Sequence, residues 1–85
     1  VIRFLVCDSL GEILRSGFAA SLRGAYIQAA GGERVFVMDD IGFLDTATLK
    51  VDFNNMLIVV KEGVSVSVQG ENTPVQEITS EPQDA

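Results

Sequence analysis

The stretch DSLGEILRSG, Asp8–Gly17, decides how this chain begins to fold. The residues before it, VIRFLVC, alternate, with Ile2, Phe4 and Val6 on one face and Arg3, Leu5 and Cys7 on the other, and are rich in β-formers. They read as a first strand. SLGE then supplies a turn, because Gly11 can take a positive φ that other residues avoid. ILRSGF resumes as a strand paired back on the first, with Gly17 expected to end the returning arm. In this hairpin Arg15 points outward, where it is available to an acidic segment of a neighbouring molecule.

Outward from the hairpin, AASLRGAYIQAAGG changes period. Leu22, Tyr26 and Ala29 or Ala30 fall at helical spacing, Ser21 is placed to cap, and Gly31-Gly32 is expected to stop the helix. Gly24 inside it costs about 1 kcal/mol relative to alanine, which limits the helix to a few turns at most. ERVFVMD is a further strand, and DIGFLDTAT a loop. LKVDF alternates, with Leu49, Val51 and Phe53 opposite Lys50 and Asp52. Asn54-Asn55 is expected to form a two-residue hairpin turn. MLIVVK, nearly all apolar, predicts a strand buried on both faces. Glu62-Gly63 makes another turn, and VSVSVQ, with Val64, Val66 and Val68 inward, closes a three-stranded meander. The expected fold class is α+β, mainly β: a small antiparallel sheet of hairpins with one short helix and an extended C-terminal tail. Residues 1–69 form the β-rich domain and 70–85 the acidic tail.

Composition sets the outer limits. A chain of 85 residues buries only about 60–65% of the surface its unfolded form exposes, and domains this small usually need a staple. One cysteine and no histidine leave neither an internal disulfide nor a zinc cluster to provide it. Apolar residues make up 47% of the chain, mean hydropathy is +0.30, and no run of 18 apolar residues predicts a membrane span. The apolar excess therefore points to subunit contacts, including contacts between copies of the chain. The net charge of −6 argues against nucleic acid and anionic membranes as partners, since the six cations are scattered. Glu71, Glu77, Glu81 and Asp84 concentrate acid in the tail. Pro74 and Pro82, high polarity and few aromatics predict a tail disordered on its own, so its ordering is expected to come from neighbouring subunits. VIRFLVCD reaches an acid too soon for a signal-peptide core, and a lone thiol suits assembly in a reducing cytoplasm.

No histidine also means no Ser-His-Asp or Cys-His arrangement within the chain, and the expectation is a protein without catalytic residues or cofactor. Cys7, among apolar neighbours, reads as core filler. Tyr26, Phe36, Phe43 and Phe53 read as core rather than a stacking platform, because such platforms sit in basic grooves. Asp39, Asp40 and Asp45 form the one acidic loop cluster. Its spacing is not that of a calcium loop, and a solvated turn with Asp45 as a local cap is expected.

Three segments, DSLGEILRSG (Asp8–Gly17), IQAAGGERV (Ile27–Val35) and the acids Asp39, Asp40 and Asp45, together resemble a group of short virion-associated proteins of tailed bacteriophages. These carry a strand ending in an acid, a D-x-x-G-x-I-L-R-S-G hairpin, a short Ala/Gln segment, G-E-x-V and an acidic region. The second half of the chain, LKVDFNNMLIVVKEGVSVSVQ, does not share the pattern. The resemblance implies a structural part of a virion, tail- or fibre-associated, with other virion proteins and copies of itself as partners. The contact residues expected on that reading are Arg15 with Glu71, Pro74, Val75, Ile78, Glu81 and Pro82 of the tail. A capsid decoration protein, or a cellular β-rich adaptor that captures a peptide on a strand edge, would use the same features.

Overall fold

The computed structural model of this chain describes residues 1–39, 42, 44–64 and 68–83. Strand β1 (Ile2–Cys7) runs through the middle of an antiparallel sheet of order β2-β1-β3-β6, flanked by β2 (Ile13–Ala19) and β3 (Arg34–Met38). The far edge is β6 (Gln76–Glu77), which pairs with β3 at Phe36 and Val37. A second ribbon, β4 (Leu49–Asp52) with β5 (Leu57–Val60), packs on one face of this sheet, and helix α1 (Leu22–Tyr26) packs on the other. The mainly β architecture of antiparallel hairpins with one short helix is the one expected.

Both faces of β1 are consequently buried, and its alternation decides which core each residue feeds. Leu5 and Cys7 join Ile13, Phe36, Leu44, Leu49, Val51, Ile58 and Val75 between the sheet and the ribbon. Phe4 and Val6 join Ala25 and Val35 beneath the helix, with Tyr26, Val37 and Ile78 partly buried around them. Cys7 is fully buried, and burial pushes its thiol up to about 11, which keeps it protonated. Phe36 is fully buried and stacks on the half-buried Phe53, with ring centroids 5.8 Å apart. Phe43 lies outside the described residues.

The opening hairpin forms as expected, and Asp8 organises its turn. One Asp8 carboxylate oxygen accepts from the N–H groups of Leu10 (2.9 Å) and Glu12 (3.0 Å). Gly11 sits at φ +89° and its carbonyl accepts from the N–H of Val51 at 2.8 Å, so the turn is tied to β4. Gly17 does not end the arm, which continues to Ala19. It stands opposite Phe4, and a Cβ there would lie 3.2 Å from the Phe4 ring, so the glycine leaves room for an aromatic neighbour.

Local expectations failed where packing outweighed them. Ser21 caps α1 by accepting from the N–H of Gly24 at 3.0 Å, but the helix ends at Tyr26, well before Gly31-Gly32. Gly24 weakens so short a helix, and the chain leaves it through the tighter turns Gln28 N–H to Ala25 and Ala29 N–H to Tyr26. The Asn54-Asn55 turn is wider than two residues: Phe53–Met56 all lie in it, and Met56, not an asparagine, takes the positive φ of 54°. The ladder stops at Asp52 and Leu57, releasing Phe53 to stack on Phe36, while the Asp52 carboxylate holds Asn54 N–H (2.9 Å) and Asn55 Nδ2 (2.8 Å). On β5 only Ile58 is fully buried, and Leu57, Val59 and Val60 are half-buried. Of the expected third meander strand, 64–69, residues 65–67 lie outside those described, and Val64, Val68 and Gln69 are not in a strand. Val64, at its start, closes the turn from Lys61.

The tail is the largest departure. Residues 72–75 pair along β5: Asn72 N–H donates to Ile58 O, Ile58 N–H to Thr73 O at 3.0 Å and Val75 N–H to Met56 O at 3.0 Å. β6 then adds to β3, and Ile78 N–H donates to Val35 O at 3.0 Å. The chain's own body therefore supplies the partners expected of neighbouring subunits. The free edges of β3 and β5 offer unpaired backbone groups at no association cost, and Val75 adds an apolar anchor.

Candidate functional site

The expected contact residues divide into those the fold consumes and those it leaves at the surface. Val75 is 7% exposed and belongs to the main core, so it is no contact residue. Ile78 is half-buried beside Val35 and Val37. Pro74 is exposed and bridges Leu57, and Glu71 lies half-buried in the turn that closes Gly70 to Thr73. Pro82 lines a shallow groove with Leu22 and Val37, and Glu81 reaches Arg23 at 3.0 Å, where both side chains are more than half exposed.

Arg15 is on the surface of β2 but is engaged within its own chain. Its guanidinium donates to both Glu33 carboxylate oxygens (2.5 and 3.3 Å) and to the carbonyl of Gln28 (2.5 Å). The Arg15 guanidinium and the N–H of Ala30 hold the Glu33 carboxyl below the usual carboxylate range. The expected pairing with an acidic tail is thus replaced by a local one. Glu33 lies in the turn that returns the chain to β3, within reach of the Arg15 side chain across β1, and reaching it costs no association entropy.

Arg34 makes the contact that sequence reasoning missed. It donates in bidentate fashion to Glu77, Nε to Oε2 at 2.8 Å and Nη2 to Oε1 at 2.6 Å, while its guanidinium carbon lies 3.9 Å from the Phe53 ring centroid. The pair locks β6 to β3 across 43 residues of sequence. Sequence separation hides it, since no local pattern links the two residues. Arg34 holds the Glu77 carboxyl below its usual range, so its contribution is present above the unfolded pKa and lost as pH falls through the folded one. Amide protection at Gln76 and Ile78 is expected to fall as pH drops below the ordinary glutamate value of about 4.5, and Glu77→Gln to remove most of that pH dependence at these amides. Protection factors from hydrogen exchange check this locally, apart from the titration of Asp52 and Glu33, whose carboxyls are also held low.

Asp45 accepts from the N–H of Ala47 at 3.0 Å, the local turn expected of it. Asp39 is exposed, and Asp40 lies outside the described residues. Among the described residues no group of three or more acids, cysteines or histidines is placed to hold a metal ion, and no helix is long and apolar enough to cross a membrane. Four cations, Arg15, Arg23, Arg34 and Lys61, each face a carboxylate, and the Arg3 guanidinium donates to Gly42 O at 2.6 Å. The cationic charge is therefore largely internal to the fold rather than gathered into a patch.

What the surface does present is β2. It forms one edge of the sheet, spans seven residues without proline, and carries the exposed apolar side chains Leu14 and Phe18, 47% and 56% exposed. Among the described residues, no backbone group from Leu14 to Phe18 has a partner on the side away from β1. The opposite edge, β6, is two residues long and follows Pro74 closely. Short, proline-flanked edges resist strand addition, and long apolar ones invite it. No family model, curated protein or solved structure matches the chain.

Proposed function

We propose that this chain is a non-enzymatic structural component of a tailed-bacteriophage virion, tail- or fibre-associated, which joins larger subunits through a strand edge. The observation that carries the reading is the open β2 edge, lying within the DSLGEILRSG hairpin on which the resemblance to virion-associated proteins rests. An added strand gains main-chain hydrogen bonds along β2, and Leu14 and Phe18 offer apolar contacts beside them. Repetition of such small contacts around a symmetric particle supplies the affinity that one contact lacks. The tail's part in joining falls to Glu71, Pro74, Ile78, Glu81 and Pro82, because Val75 is in the core.

The test is where the protein resides. Particles of the phage encoding this chain are banded on a density gradient and quantified by mass spectrometry, with antibody labelling in the electron microscope to separate tail from head. Co-banding at fixed copy number, with label on the tail, is expected. Label on the capsid would transfer the role to head decoration. Intact particles free of the chain would overturn the virion reading and leave the peptide-capturing adaptor.

A further inference from the structure

We infer that the β2 edge receives a second copy of this chain, the two β2 strands pairing antiparallel about a two-fold axis at Ser16 to give a continuous eight-stranded sheet. The inference rests on the structural reading above and assigns the β2 edge to pairing between copies, so that contacts with larger subunits fall to the remaining surface, including the tail residues Pro74 and Glu81.

The register follows from the side chains. A two-fold axis can pass only through a residue paired with itself, so Arg15, Ser16 and Gly17 are the central choices. Centring on Arg15 would set two guanidinium groups against each other, which is destabilising. Centring on Gly17 would place Phe18 against Ser16 and leave Leu14 facing the small Ala20. Centring on Ser16 places Leu14 of each copy opposite Phe18 of the other, two aromatic–aliphatic pairs, and sets Arg15 opposite Gly17. Leu14 is the residue that the shift between Val6 and Cys7 leaves without a partner on β1. It is 47% exposed and Phe18 is 56% exposed, so both have area to lose.

Local charge along the β2 edge does not oppose the pairing. Arg15, the only charged residue on β2, is matched by Glu33 of its own chain, and it meets a glycine across the axis. A foreign strand would need its own matching apolar pattern at the same spacing. A second copy carries it already.

The experiment uses the purified full chain and two surface substitutions, Ser16→Cys and Ser16→Lys, with Leu10→Cys as a control at an exposed position off the strand. Analytical ultracentrifugation is expected to show a monomer–dimer equilibrium. Ser16→Lys is expected to weaken it by roughly ten-fold or more while leaving the melting curve in place. Under mild oxidation Ser16→Cys is expected to form disulfide-linked dimers well ahead of Leu10→Cys. Cys7 is buried and stays out of the reaction. A chain that remains monomeric to millimolar concentration, a dimer indifferent to Ser16→Lys, or equal cross-linking of the two cysteine variants would each overturn the inference. None of these outcomes would affect the virion reading, which stands or falls on the contents of the particle.

Discussion

Replacing Phe36 by alanine is expected to destabilise the domain by about 3–5 kcal/mol, the usual cost of emptying a fully buried aromatic site. Phe36 is wholly buried, stacks on Phe53 and lies in a core built from both sheets and the returning tail. The hole would be lined by residues of five strands, whose paired backbones cannot collapse into it. Domains of this size have roughly 0.05–0.15 kcal/mol of stability per residue, about 4–13 kcal/mol for this chain, so a loss of that order removes about a quarter of the stability or more. Urea unfolding followed by circular dichroism measures the effect, and Phe18→Ala serves as the contrast. Phe18 is 56% exposed and lies outside both cores, so its removal is expected to cost under about 1 kcal/mol. Equal costs for the two phenylalanines would mean that the division of buried from exposed aromatic surface is wrong.

The second large effect is expected at Gly11. An alanine there would hold a Cβ at φ +89°, and that atom would overlap the carbonyl oxygen of Val51 in the backbone of β4. Neither strain can relax cheaply. The Gly11 carbonyl is bonded to the N–H of Val51, so moving the turn away breaks the tie between the hairpin and the ribbon. Backbone strain and overlap together are expected to cost about 2–4 kcal/mol. For a domain of this size that is roughly a 10–25 °C fall in melting temperature. Gly31→Ala is the control: nothing lies within 4 Å of the added atom, and the residue has no positive φ. Its melting temperature should move by no more than a few degrees. A Gly11→Ala variant that melts with the parent would show that the hairpin is not docked on β4.

Both predictions bear on the proposed edge, since β2 is held in place by the same turn. An unfolded or undocked hairpin cannot present Leu14 and Phe18 in register. Loss of dimer in Gly11→Ala would therefore accompany loss of fold, whereas Ser16→Lys separates the two.

Much of this arrangement was legible in short stretches. Alternation through Ile2–Cys7, an acid and a glycine in the turn, and a β-rich return are sufficient for the first hairpin, because turn chemistry and period act over a few residues. Ser21 as a cap and Asp45 as the head of a local turn are readable for the same reason. Of the expected contact residues, Arg15, Pro74 and Glu81 are exposed, and Glu71, Ile78 and Pro82 are half-buried. Gly17 looked like a terminus, and its actual role as clearance for Phe4 is invisible until the register is known. The tail misled because composition reports only what a segment could bury on its own. Val75 and Glu77 are held by Ile58, Phe36 and Arg34, partners that sequence distance conceals.

The sequence by itself determined the hairpins, the cap and the antiparallel β character, since these depend on dihedral preference and on alternation among near neighbours. Only the tertiary structure decided that β1 is buried on both faces, that the tail closes the β3 side of the sheet, and that β2 is the long edge left open. Those outcomes depend on competition among distant segments for the same unpaired backbone groups. The segment that brings Val75 into the core takes the edges of β5 and β3, and β2 keeps its own.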